Sequence, residues 1–163
     1  MHKITKEESA EELEKFNLGK VSDEDYSFIR KKSVRPAHDT IIYLGQDKFL
    51  LAIRQGEPAK GLIWPFGGGQ KRGLPIRLSL QQKIKEETGL HSPLESIESF
   101  GLADHFWTNS GKYGPVHESG VYFFSRGYGN IKTGELEDEK ILTAEEYLDT
   151  RLSLPHWTQV GMD

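Results

Sequence analysis

The stretch Gly67-Gly68-Gly69-Gln70-Lys71-Arg72-Gly73, followed one helix later by Lys85-Glu86-Glu87-Thr88-Gly89-Leu90, constrains this chain more than any other. Three consecutive glycines leave backbone groups open to a ligand and permit positive φ, so the run predicts a glycine turn. Residues 76 to 88 lack Gly and Pro and carry Ile76, Leu80 and Ile84 spaced by four, which predicts one helix stopped at Gly89. Carboxylates placed beside bare backbone carbonyls are the donors that a hard divalent cation takes. The pattern therefore points to metal-assisted phosphate chemistry.

At 163 residues the chain suits one domain with a sizeable core. Its 25 acidic and 21 basic residues leave a net charge of -4, so no basic surplus recommends the surface to nucleic acid. Cysteine is absent, which removes disulfides and thiolate metal sites and fits a reducing cytosol. The first residues lack the apolar run of a signal peptide, and no stretch is long enough to span a bilayer. A soluble cytoplasmic domain with no membrane partner is expected.

Thr5 and Glu8 form a capping-box pattern, and Gly19 a stop, for a thinly apolar helix. Residues 1 to 21 thus read as a helical appendage to a single domain spanning 22 to 163. Ser22-Asp23-Glu24-Asp25 opens a second helix with Tyr26, Phe28 and Ile29 as apolar members, and Arg35-Pro36 should end it. The runs 40–44 and 48–53, split by Gly45-Gln46-Asp47, predict a hairpin with a three- or four-residue loop. Leu62-Ile63-Trp64 is a further short strand. Strand-like runs at 97–102 and 120–124 flank a polar and aromatic loop, Asp104 to Gly114, of a length that is usually functional. Thr143-Ala144-Glu145-Glu146 starts a last helix. A mixed sheet with its main helix in the middle favours an α/β sandwich.

On these residues the chain resembles the Nudix hydrolases. Their signature runs Gly, five residues, Glu, seven residues, then Arg-Glu-apolar-x-Glu-Glu-x-Gly-apolar. Gly68, Ile84, Glu86, Glu87, Gly89 and Leu90 match it without insertion, while Leu74, Gln82 and Lys83 depart from it. Phe66 stands where a proline is expected before the glycine pair. From about Glu24 to Thr143 the chain is similar to the GDP-mannose mannosyl hydrolase branch. The similarity is carried by Glu24-Asp25-Tyr26, Asp39, the strand ending at Arg54, Pro58-Ala59-Lys60-Gly61, His105-Phe106 and Leu142-Thr143. It implies a Nudix-type α/β/α sandwich around a mixed β-sheet, a homodimer, and hydrolysis of a nucleotide-sugar assisted by Mg²⁺ or Mn²⁺.

The resemblance implies that Glu87 and the Gly68 carbonyl hold the ion, with Glu86 and Glu135 as further ligand candidates. Glu86 and Glu87 are adjacent, so on a helix they project about 100° apart and only one can point at a single ion. Two carboxylates near a helix C-terminus also oppose its dipole, so helix stability gives them no reason to be there. Asp39 and Arg54 match substrate and diphosphate contacts, and Arg suits bidentate phosphate binding. Gly67, Gly69 and Trp107 complete the expected substrate-binding set. For a general base the candidates are His105, His117 and Glu137, since Leu136 falls where the branch carries a histidine.

Three functions follow in order of fit. The first is a metal-dependent hydrolase releasing sugar and nucleoside diphosphate. The second is a catalytically silent binder or sensor of a nucleotide-sugar, favoured by Leu74, Gln82, Lys83 and Leu136. The third, diphosphate hydrolysis of a nucleoside triphosphate, needs more carboxylates than this helix supplies.

Overall fold

The computed structural model describes residues 21–132 and 139–146. The appendage helix expected before Gly19, and Glu135, Leu136 and Glu137, lie outside the described residues. The described chain runs α1 (Asp23–Lys32), β1 (Val34–Gly45), β2 (Lys48–Ile53), β3 (Ile63–Trp64), β4 (Phe66–Gly69), α2 (Ile76–Thr88), β5 (Glu98–Trp107), β6 (Val116–Arg126) and β7 (Glu139–Thr143). The strands form one seven-stranded mixed sheet in the order β3-β2-β1-β6-β5, with β4 also paired to β1 and β7 to β2. This is the expected α/β architecture. No helix among the described residues is long and apolar enough to cross a membrane.

β1 organises the sheet. It runs parallel to β6 from Val34↔His117 to Tyr43↔Arg126, and antiparallel to β2 and β4. Alternation along a strand sends neighbours to opposite faces. Ile42 and Leu50 accordingly join Phe66, Leu80, Ile84, Leu90, Ile97 and Phe123 in one core, and Ile41 and Leu51 join Leu142 in another. α2 has the predicted bounds, and its Leu80 and Ile84 are fully buried in the larger core. Gly89 ends it in the left-handed conformation at φ 76°, its N–H donating to the Lys85 carbonyl at 3.1 Å.

Four expectations need correction. α1 stops at Ser33, whose hydroxyl and N–H both donate to the Ile29 carbonyl, so Arg35-Pro36 lie inside β1 rather than ending a helix. The inward residue of α1 is Arg30; Phe28 and Ile29 are exposed. The hairpin loop is only Gln46-Asp47, between the pair Gly45↔Lys48. Both loop residues have positive φ, 52° and 56°, as a type I′ turn requires. Asp104 to Trp107 are not loop but the end of β5, paired through His105↔Glu118 and Trp107↔Val116.

The fourth concerns the glycines. Gly67 to Gly69 are not a turn: they form β4, through Asp39↔Gly67, His38↔Gly68 and Ala37↔Gly69. A Cβ on Gly67 would lie 2.1 Å from the His38 carbonyl oxygen and 2.7 Å from Asp39 Cα. The glycines are there because two backbones approach too closely for a side chain. The turn follows them, with Gly73 at φ 80° and the Leu74 N–H donating to the Lys71 carbonyl. Farther on, the closing helix opens as expected. Glu146 N–H donates to Thr143 Oγ1 at 3.2 Å, and the Glu146 carboxylate accepts from Thr143 N–H at 2.8 Å.

Gly67→Ala is expected to cost about 2–3 kcal/mol, or to prevent folding, because the clash is with backbone. Gly56→Ala, where a Cβ would meet nothing within 4 Å, should change stability by less than about 0.5 kcal/mol. Denaturant midpoints of the two variants check this.

Candidate functional site

Odd-numbered residues of β1 place Arg35, Ala37 and Asp39 on the face that also carries Ile41. β6 brings Glu118 beside Arg35, and the end of β2 delivers Arg54. With Gly68 of β4 and His105 and Trp107 of β5 they line a narrow cleft of about 50 Å³. Asp39, Arg54, Gly68, His105 and Trp107, expected from sequence to contribute to one site, do converge here. Gly67 and Gly69 stand beside them in β4.

Asp39 sits at the bottom. Burial pushes its carboxyl from 3.8 up to about 8; nearby Arg54 opposes the shift, and Glu118 and Glu87 reinforce it. At neutral pH it is therefore a hydrogen-bond donor. Arg54 lies over the Trp64 ring, 4.8 Å from its centroid, and donates from Nε to the Gly56 carbonyl at 3.2 Å. Trp64 in turn meets Trp107 at 5.9 Å between ring centroids. His105 stacks on Trp107 at 5.5 Å and is hydrogen-bonded through Nε2 to the Tyr122 hydroxyl. Burial lowers the pKa of His105, opposed by Glu118 and Asp104, and raises that of Tyr122.

Sequence reasoning missed Arg30, Arg35, Glu118 and Trp64. Arg30 and Arg35 each donate to the same oxygen of Glu118 at 2.9 Å, which closes the cleft with a partly buried cation–anion–cation bridge. The signal was available: two-residue alternation puts Arg35 and Asp39 on one face once β1 is drawn at its full length. Arg30 Nε and Trp107 Nε1 are buried donors without a hydrogen-bond partner among the described residues. Both belong to residues that line the cleft, and such donors suit an acceptor-rich ligand.

His117, the other histidine candidate, is not in the cleft. It stacks on Phe106 at 4.2 Å, with Nε2 3.5 Å from Asp104. Glu86 and Glu87 also part company, as their angular separation requires. Glu86 is exposed and paired with Lys71. Glu87 is half-buried, and its carboxylate pairs with Lys83 at 2.9 Å. Burial raises the Glu87 pKa, with Lys83 pulling it back.

A divalent ion at the Gly68–Glu87 edge needs several oxygen ligands. Among the described residues no group of three His, Cys, Asp or Glu side chains converges to hold one. The Glu87 carboxylate already carries the Lys83 ammonium. Without Glu135, which lies outside the described residues, these residues do not complete a site for a divalent ion.

No protein-family model matches the sequence, and no curated protein does. Solved structures do match in shape. The MutT NUDIX hydrolase of Burkholderia pseudomallei aligns with a TM-score of 0.61 at 17% identity, over 80% of this chain and 96% of that one. A MutT protein of Bacillus halodurans aligns at 0.59 and 18% identity over 80% and 81% of the two chains. A NUDIX hydrolase of Nitrosomonas europaea aligns at 0.60 and 13% identity over 80% and 86%. The likeness is one of fold: this chain has the Nudix fold.

The raised Asp39 pKa carries a signature. A carboxyl held at about 8 instead of 3.8 contributes stability fully below pH 3.8 and loses it as pH rises towards 8. Asp39→Asn, which keeps a neutral side chain of the same shape, should therefore gain melting temperature relative to wild type between pH 5 and 8. Thermal melts of both proteins across that range check it; a difference that does not change with pH contradicts the assignment.

Proposed function

We propose that this chain is a Nudix-type hydrolase of a nucleotide-sugar, of the GDP-mannose kind, releasing free sugar and nucleoside diphosphate. One observation carries the reading. Asp39, Arg54 and the pair His105 and Trp107, from three separate segments of the sequence, meet in one cleft beside the glycine strand. The guanidinium of Arg54 suits two oxygens of a diphosphate. Neutral Asp39 can donate to a third instead of repelling it. The half-buried indole of Trp107 offers an apolar surface for a base or sugar ring.

In the reaction a water oxygen forms the new bond to sugar C1, and the bond from C1 to the phosphate oxygen breaks. The departing diphosphate takes that electron pair, and the water proton passes to a base. His105 is the described candidate, kept neutral by burial and so able to accept a proton. The Arg54 guanidinium would stabilise the charge that develops on the leaving group.

A second reading has its own support. The Lys83–Glu87 pair stands where the resemblance implies metal ligands, which favours a silent nucleotide-sugar binder. Triphosphate hydrolysis has no such support, because no carboxylate cluster forms among the described residues.

The test is a panel of GDP-, ADP- and UDP-sugars and nucleoside triphosphates, with Mg²⁺, Mn²⁺ or EDTA, and chromatography of the products. Free sugar plus nucleoside diphosphate is expected. Arg54→Ala should raise KM or Kd by about tenfold or more, the loss of a charge-assisted contact. Nucleoside monophosphate plus sugar phosphate would move the attack to phosphorus. No turnover, with a ligand still raising the melting temperature, would establish the second reading.

A further inference from the structure

The residue that departs most sharply from a metal-binding helix is Lys83, and it stands beside the glycine strand at the edge of the site. Its ammonium lies 2.9 Å from Glu87 Oε1, and both side chains are about one-third exposed. Its stem lies in ordinary contact range of Gly68, where a Cβ would stand 3.8 Å from Lys83 Cε. The charge therefore sits on the Glu87 carboxylate beside the Gly68 backbone, the two groups expected to share a divalent ion.

Helix stability does not account for the pair. With Lys four residues before Glu, the order is the weaker of the two i,i+4 arrangements, and Glu87 opposes the helix dipole. Glu87 thus acts as a holder that keeps the ammonium beside Gly68, which lines the cleft. An ammonium carries three donors, and one satisfies Glu87, leaving donors for phosphate oxygens.

We propose that Lys83 is the diphosphate-binding cation of this chain, standing in place of a divalent ion at the Gly68–Glu87 edge. Nucleoside diphosphates then bind without metal, on Lys83 from one side and Arg54 from the other. The inference rests on the nucleotide-sugar site proposed above and specifies which charge meets its diphosphate.

Calorimetric titration of the full chain with GDP and with inorganic pyrophosphate, in EDTA and in Mg²⁺, tests it. Wild type should bind both probes with closely similar Kd in the two buffers. Lys83→Gln should weaken binding in EDTA by about tenfold or more, the loss of one charge-assisted contact. Lys83→Arg should keep most of the affinity. Lys83→Glu should lose binding in EDTA and regain it in Mg²⁺, and melts without ligand confirm that each variant is folded. Wild-type binding that appears only with Mg²⁺ would overturn the role of Lys83 and leave the site standing. An unchanged Kd for Lys83→Gln in EDTA would do the same. Failure of either probe to bind in either buffer would overturn the site as well.

Discussion

The contact between Gly67 and the His38 carbonyl fixes what the rest of the molecule can do. β4 lies against β1 with no room for a side chain at that point. That closeness carries Gly68 to the rim of the cleft above Asp39, and the next turn then aims α2 back along the sheet. Ser79 anchors the return: its hydroxyl is hydrogen-bonded to His38 Nε2 at 2.7 Å and accepts the Lys71 N–H at 2.8 Å. All three partners come from different segments, so strand, turn and helix are tied at one buried point. The C-terminal half of α2 then brings Lys83 beside Gly68, which lines the cleft.

The same crowding explains the electrostatics. Arg30 and Glu118 are largely withdrawn from water, and a lone charge there would be costly. Glu118 answers this by accepting from both Arg30 and Arg35. Asp39, deeper and without a dedicated ion pair, answers it by keeping its proton. His105 answers it by staying neutral beside Tyr122. Each group settles its burial differently, and together they leave a cleft rich in donors.

Local pattern was enough for α2, because four-residue spacing of Ile76, Leu80 and Ile84 and the Gly89 stop are both properties of the helix itself. The Thr143–Glu146 box was legible for the same reason. Strands were harder, since their length depends on a partner. Pro36 looks like a break, yet it sits in β1 with β6 alongside, its carbonyl accepting the Gln70 N–H. The glycine run looks like a turn, yet β1 makes it a strand. Asp104 to Trp107 look like loop until β6 pairs with them. Of the site, Asp39, Arg54 and His105 were found through resemblance, and Trp107 as a member of the same polar and aromatic run as His105. Glu118 was not, because its role exists only once Arg30 and Arg35 are brought to it.

Charge at the site differs in sign from charge on the chain. The whole sequence is acidic, at -4. The cleft itself is lined by the cations Arg30, Arg35 and Arg54 against the anion Glu118, with Asp39 protonated at neutral pH, while Lys83 and Glu87 cancel each other beside Gly68. The surplus is two positive charges. A diphosphate esterified at both ends carries one negative charge on each phosphorus, so it meets its neutralising charge in side chains alone. A divalent ion added to the same rim would double the surplus and face the Lys83 ammonium at close range, where like charges repel most. Moving Lys83 off Glu87 would relieve that repulsion only by stripping the ammonium of its partner. The pairing of Lys83 with Glu87 and the proton on Asp39 are thus two parts of one arrangement, which sets the positive charge of the cleft without a metal.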